Sequence, residues 1–328
     1  MLLHFLARRV AYALTFFVAL SAVSFIIIQL PPGDYVTTLV SNLELTGRML
    51  DQSEIDQLVR RYGADRPLWQ QYFVWLSRFV RLDFGRSFYW NQPVIQLIAT
   101  RLPYSLLITV VAFLLSYAIA IPIGIYSAVN QYSIGDYLFT IIGFIGIATP
   151  SFLIAIVILH LLFVNFGLSL TGLFSPEYTD APWSWAKFLD LLKHLPLPIL
   201  ISAFAGAAWI IRVMRNCLLD ELRKQYVVTA RAKGVPEKTM LFRYPVRIAI
   251  NPIISTIGWV LPTLISGETV LGVALGIPTL GPLLYRALLF QDMYLAASVV
   301  MILGVLVILG TLVSDLLLVQ FDPRIRLQ

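Results

Sequence analysis

The chain has 328 residues, of which 59% are hydrophobic and only 13% charged, with a mean hydropathy of +0.81. Soluble domains carry about 25% charged residues, so this composition excludes an ordinary soluble protein. The net charge of +6 does not argue for nucleic acid, because the cations flank apolar runs in the manner of a positive-inside bias.

In chain order, Val10 to Leu30 is the first apolar run, preceded by Arg8 and Arg9. About 20 such residues cross a bilayer as a helix. The run exceeds a signal-peptide core, and PPGD at Pro31 to Asp34 follows it instead of an A-x-A site. An uncleaved first helix with a cytoplasmic N-terminus is expected.

Residues 31–101 are expected to form an external helical region. Ser53 is expected to cap a helix whose Ile55, Leu58, Val59 and Tyr62 share one face. Asp65 and Pro67 open a second helix that ends near Gly85. Its Trp69, Tyr72 and Trp75 suit the membrane–water boundary and equally suit packing on the bundle.

Further spans are expected at Pro103–Ser127, Tyr137–Phe166, Leu197–Arg212, Pro252–Leu275 and Met293–Gln320. The predicted fold class is therefore an all-α membrane protein with six transmembrane helices and an external helical loop between helices 1 and 2. Pro122, Pro150 and Pro262 predict kinks. Ala203, Ala205, Gly206, Ala207 and Ala208 predict close helix packing. The short segments Gly167 to Pro196 and Gly276 to Asp292 fall outside, and TDAPWSW at Thr179 to Trp185 reads as an interfacial anchor. By this reading residues 1–30 hold the N-terminus and first span, 102–320 the five-helix core, and 321–328 a cytoplasmic tail. Six spans place both termini inside.

The most distinctive stretch lies within residues 213–251. Nine Lys and Arg crowd the chain from Arg212 to Arg247, against Asp220, Glu221 and Glu237 alone. That density predicts a cytoplasmic loop. A helical pattern stops at Gly234, and Pro236 is placed to start another. The shape predicted is a short helical projection suited to a soluble partner.

No Gly-Lys pair occurs, so a G-x-x-x-x-G-K-[ST] phosphate loop is excluded. His4, His160 and His194 lie far apart and Cys217 is single, which argues against a metal cluster and an intrachain disulfide. No catalytic, cofactor-binding or metal-binding residue is predicted, and His160 is expected as a hydrogen-bonded interior residue. Ionisable residues within spans are functional candidates. Asp315 reads as structural, meeting Ser314 or a basic loop residue. Glu268, in ISGETVLG, is the candidate for the pathway or an inter-subunit contact.

YVVTARAKGV, at Tyr226 to Val235, resembles the cytoplasmic EAA-x3-G signature of permease subunits of ATP-binding-cassette importers, with its glycine at Gly234. Val228 stands at the acid position, Thr229 and Ala230 at the alanines, and Arg247 at the later proline. These departures resemble the dipeptide/oligopeptide branch, whose loop commonly reads YV-x-TARAKG. LPPGDYV at Leu30, YGADRPLWQQYFVWL at Tyr62, DFGRSF at Asp83, TPSF at Thr149, GIPTLGPLL at Gly276 and DPRIR at Asp322 are similar to the same branch. That branch often carries an acid where this chain has Gly272.

The resemblance implies a subunit in the bacterial or archaeal inner membrane that forms half of a solute pathway. It implies a second homologous permease, two ATPase subunits and an external solute-binding protein as partners, besides membrane lipid. The ATPase-coupling loop would comprise Thr229, Ala230, Arg231, Ala232, Lys233, Gly234, Val235, Pro236, Glu237 and Lys238. Ala230, Ala232 and Gly234 would let the backbone sit deep in the ATPase. Val235, Met240, Leu241 and Phe242 would supply apolar contacts, and Lys233, Glu237 and Lys238 would fix register. Val129 to Asp136 would be a second contact. Peptides are the expected substrate, with oligosaccharides or nickel as alternatives within the family. An ion-coupled carrier or channel and a non-transporting scaffold remain alternatives of a different class.

Overall fold

The computed structural model describes residues 2–29, 37, 40–41, 44, 49–62, 66–87, 89–257 and 268–321. The expected kink at Pro262 and the DPRIR and LPPGDYV motifs lie outside these residues. Among the described residues the chain is helical, with a single bridge pairing Arg86 and Pro93. In order the helices are α1 Leu2–Gln29, α2 Gln52–Tyr62, α3 Leu68–Val80, α4 Val94–Val129, α5 Ile134–Ala148 and α6 Ser151–Phe166. They continue as α7 Trp185–His194, α8 Pro196–Leu222, α9 Gln225–Ala232, α10 Glu237–Arg243, α11 Pro245–Ala249 and α12 Asn251–Ser255. The last three are α13 Glu268–Leu275, α14 Leu280–Leu289 and α15 Met293–Phe321.

Four helical stretches are long and apolar enough to cross a membrane, Arg8–Gln29, Val94–Val129, Trp185–Leu222 and Met293–Leu316, and six result if each of two bent pairs is one span. The bent pairs revise the expected spans. Tyr137–Phe166 is not one kinked helix: α5 and α6 meet at 102° around Thr149 and Pro150. Pro150 cannot donate a backbone hydrogen bond, and the residue before a proline is pushed out of the helical region. Thr149 is extended, at φ −99° and ψ 123°. The expected span Pro252–Leu275 ends where α13 ends, and the chain then bends by 89° into α14. The segment Gly276 to Asp292, expected as an external connection, therefore contains α14. By contrast α4 starts at Val94 and is helical through both Pro103 and Pro122.

The chain divides into two compact units, Met1–Pro103 with Pro282–Leu306, and Tyr104–Gly281 with Val307–Gln328. In the first unit α3 packs on α1. The Tyr72 hydroxyl lies 2.7 Å from the Ser21 hydroxyl, and Phe25 meets the Tyr72 ring edge-on at 5.5 Å. Trp75 and Phe79 are buried, whereas Trp69 and Phe73 are exposed. One face of α3 thus packs on α1 and the other is exposed. The cap of α2 is Asp51 and not Ser53, since the Asp51 carboxylate accepts the Glu54 N–H at 2.8 Å and the Ser53 hydroxyl at 2.7 Å. Those bonds, the Ser53 hydroxyl first, hold the Asp51 carboxyl below its ordinary range. Buried Asp292 accepts from the Ser87 hydroxyl and from the Leu295 N–H at 3.3 Å, tying the residue 83–93 loop to the start of α15.

In the second unit α8 is the central element. Its buried Ile199, Ile201 and Ala203 join a cluster with Ile108 of α4, Leu191 of α7 and Leu271 of α13. Ile210, Met214 and Leu218 join a second cluster with Ala120, Ala249 and Ile253. Lipid tails are as apolar as these side chains, so close packing has to hold the helices together. The small residues serve that purpose. A Cβ on Gly206 would lie 2.8 Å from the Ser116 hydroxyl, which itself donates to the Ala203 carbonyl at 2.9 Å. A Cβ on Gly146 would meet the Ala208 Cβ at 3.0 Å. The segment before α7 is pinned by buried Asp190, which accepts both the N–H and the hydroxyl of Ser175 at 2.7 Å. Trp183 and Trp185 remain exposed there.

Candidate functional site

Beyond the end of α8 the chain makes a compact helical projection. Glu221 is buried, and it accepts from the Lys224 ammonium and from the Tyr226 hydroxyl, each at 2.6 Å. Burial and the Glu221 carboxylate together raise the Tyr226 hydroxyl above its ordinary range. This three-residue knot fixes how α9 leaves α8. It was hidden in the sequence because Glu221 reads there as one of several loop charges.

Helix α9 ends in a two-bond turn. The Gly234 N–H donates to the Arg231 carbonyl at 2.9 Å and the Val235 N–H to the Ala230 carbonyl at 3.3 Å. That pair of bonds is a Schellman closure, which places the residue after the cap in the left-handed region. Gly234 sits there, at φ 74°, and a Cβ built on it meets nothing within 4 Å of its own chain. Helix α10 then starts after Pro236. The expected helix stop and restart are both found.

Of the ten residues singled out, Thr229, Arg231, Ala232, Lys233, Gly234, Pro236, Glu237 and Lys238 are exposed, and Ala230 and Val235 are half-buried. The structure brings them onto one projection. Two expectations change. Met240 is fully buried with Val227 and supports the projection from beneath, leaving Phe242, at 58% exposure, as the apolar tip. Glu237 is occupied by Arg231 at 2.7 Å, an exposed pair worth about 0–1 kcal/mol. Its carboxylate raises the Arg231 guanidinium above its ordinary range. Helices α11 and α12 return the chain to the bundle through buried Val246, Ala249 and Ile253.

The turn before α5 is a second projection. Tyr132 and Ile134 are 69% and 89% exposed. Asp136 is buried and receives the Arg215 guanidinium in a fork, Nε to Oδ1 and Nη2 to Oδ2, both at 2.8 Å. Asp136 also accepts the Tyr132 N–H at 3.0 Å, and Ser133 caps α5 by accepting the Asp136 N–H. The bidentate geometry bolts this turn to α8. Sequence alone offered Asp136 only as the end of a short loop and Arg215 only as one loop cation.

Glu268 opens α13, is 3% exposed and accepts from the Thr109 hydroxyl of α4 at 3.1 Å. It does not approach the loop residues above in any described contact. His160, expected inside, is exposed. Ser314, the neighbour of Asp315, donates to the Ile254 carbonyl at 2.9 Å. Among the described residues no group of three His, Cys, Asp or Glu can hold a metal ion.

Residues 120–327 match the family model described as binding-protein-dependent transport system inner membrane component, and residues 2–109 match the model of the N-terminal part of that membrane component. The chain is 33% identical to the oligopeptide transport system permease protein AppB of Bacillus subtilis (strain 168), over 98% of this chain and 99% of that protein. It is 31% identical to the dipeptide transport system permease protein DppB of Lactococcus lactis subsp. cremoris (strain MG1363), over 99% of this chain and 100% of that one. It is also 31% identical to the inner membrane ABC transporter permease protein YejB of Escherichia coli O157:H7, over 98% of both chains. Proteins of this kind work with ATPase and solute-binding components. The chain belongs to the binding-protein-dependent transport system inner membrane components, and it is a multi-pass permease subunit of an ATP-binding-cassette importer rather than an enzyme.

Proposed function

We propose that the projection formed by α9, the Gly234 turn and α10 docks into an ATPase subunit and couples ATP hydrolysis to movement of the bundle. The observation that carries this is the Gly234 turn. Its backbone is exposed, closed by its own hydrogen bonds, and free of any intrachain obstacle to a side chain. Small residues at Ala230, Ala232 and Gly234 let a partner reach that backbone, while Lys233, Lys238 and Phe242 border it. The turn carrying Tyr132 and Ile134 supplies the second contact. In this arrangement the chain pairs with a second homologous permease, above two ATPases, and receives solute from an external binding protein. Both termini and the 213–251 segment face the cytoplasm, supported by the cation density there.

Peptides are the proposed substrate, supported by relatives whose names specify oligopeptide and dipeptide transport. Glu268, buried with a single described hydroxyl donor, is the proposed pathway or inter-subunit group.

The test is Gly234→Asp in the reconstituted complex. Because Asp tolerates the left-handed region better than most residues, the fold should persist. The expected result is normal membrane insertion with ATPase subunits lost or solute-stimulated hydrolysis abolished. Wild-type subunit retention together with wild-type transport would overturn the coupling role.

A further inference from the structure

Two cavities in the second unit form a groove that the coupling reading does not use. One, of about 370 Å³, is walled by α4, α5 and α8 and is almost wholly apolar, with Ile119, Ile142, Leu200 and Phe204 in its lining. The other, of about 270 Å³, has Arg212, Arg215 and Asn216 in its lining beside Phe144 and Ile147. The two share Phe139, Gly143, Ala208 and Ile211 in their linings, so they adjoin, and their α8 walls run on from Leu200 to Asn216.

Charge is distributed unequally along this groove. Arg215 is neutralised by the fork to Asp136. Arg212 has no carboxylate partner among the described residues, and its guanidinium rests 5.9 Å from the Phe144 ring. Asn216 follows one turn later with its amide exposed, and no acid lines the cavity. An uncompensated cation is therefore placed at one end of an apolar trough. A second dimension agrees with this. Twelve residues of helix from Leu200 to Arg212 rise about 18 Å. One leaflet of a bilayer is about 15 Å of hydrocarbon.

We propose that this groove binds one anionic phospholipid, its acyl chain lying along α8 between α4 and α5 and its phosphate against Arg212 and Asn216. The phosphate supplies the counter-charge that Arg212 lacks, and the apolar trough takes the chain that the headgroup carries. Basic pockets between membrane helices recognise lipid headgroups by this chemistry. Lipid so placed wedges the α5–α8 contact, where Gly143 and Gly146 bring the backbones close. The proposal requires only that α8 spans the membrane, and it stands apart from the coupling role of Gly234.

Full-length protein, purified in detergent with its co-assembled subunits, would be examined by native mass spectrometry during titration with phosphatidylglycerol and, separately, phosphatidylcholine. The expected result is one retained phosphatidylglycerol per chain, with phosphatidylcholine bound more weakly. Arg212→Gln should weaken phosphatidylglycerol about fivefold, the effect of one cation near an anionic lipid, while Arg212→Lys should retain most of the binding. Crosslinking from Asn216→Cys should reach lipid and no protein subunit. The proposal would be overturned by equal retention of both lipids in wild type and Arg212→Gln. It would also be overturned by Asn216→Cys crosslinking to a second permease, which would make the groove a subunit interface. Displacement of phosphatidylglycerol by millimolar inorganic phosphate alone would reduce the site to an anion pocket and overturn the acyl-chain part.

Discussion

Replacing Asp136 by Ala removes the acceptor of a two-pronged ion pair, and the cost can be set from its geometry. The carboxylate side chain is 3% exposed and the Arg215 side chain 22%, and both bonds are 2.8 Å long. Breaking a buried pair by deleting one partner costs about 3–5 kcal/mol, because the survivor keeps its desolvation penalty. Water can reach part of Arg215, which puts the expected loss at the low end, about 3 kcal/mol. In a unit of this size such a loss lowers the melting temperature by about 6–12 °C. Asp136→Asn keeps one acceptor and should lose roughly half as much. Melting would be followed in detergent for Asp136→Ala, Arg215→Ala and the double variant. The pair should be non-additive by about 2 kcal/mol, since the second substitution removes a charge already stranded. Raising the salt should change the wild type little, because the carboxylate is buried. A shift below about 2 °C, or strict additivity, would refute the view that this pair bolts the 130–136 turn to α8.

Gly281→Ala should destabilise by about 1–3 kcal/mol, because the new Cβ would lie 2.8 Å from the Thr269 Cα, a backbone atom that cannot swing aside. Gly167→Ala, whose Cβ meets nothing within 4 Å, should cost only the left-handed strain of about 1 kcal/mol in the same melting assay. Tyr226→Phe should cost about 1.5–3 kcal/mol by leaving Glu221 without a hydroxyl donor. Because the folded hydroxyl titrates above its unfolded value, its contribution is complete below about pH 10 and fades as pH rises further. An alkaline melting series should therefore lose a component in Tyr226→Phe, and identical pH profiles would count against the knot. Ser77→Cys on exposed α3 should react with an impermeant thiol reagent added outside intact cells. Reaction from the cytoplasm alone would reverse the proposed orientation.

The parts of this molecule that were legible in the sequence are those governed by local chemistry. Gly234 followed by Pro236 announces a stop and a restart, because a left-handed position and a fixed φ act on their own neighbours. The aromatic spacing from Trp69 to Trp75 likewise gives α3 directly. What escaped depends on distant partners. Nothing near Asp136 names Arg215, which lies 79 positions away and one span later. Met240 looked like a contact residue because its burial under α9 is set by the folding of the projection back on itself. Pro150 broke a helix whereas Pro103 and Pro122 did not, although all three sit in apolar runs. Pro103 and Pro122 are accommodated within one long helix, and Thr149 alone has extended geometry ahead of its proline. The end of α13 at Leu275 was legible, with Gly276 at φ 67° turning the chain there, whereas α14 inside the following segment escaped.

The bend between α13 and α14 also bears on how the chain can be made. Non-helical backbone at membrane depth is tolerated only where other protein groups satisfy it. Here the Leu275 carbonyl accepts the Gly172 N–H at 2.7 Å, and the Leu280 N–H donates to the Ser105 hydroxyl at 2.7 Å. Both partners leave the ribosome before the bend does. The α13–α14 pair is therefore not a self-sufficient hairpin that a translocon could release into lipid by itself; it has to be received by a scaffold that α4 and the segment after α6 have already laid down. Biogenesis follows the direction of translation, and a chain engineered to begin after Gly172 would present this bend to the bilayer with two backbone groups bare.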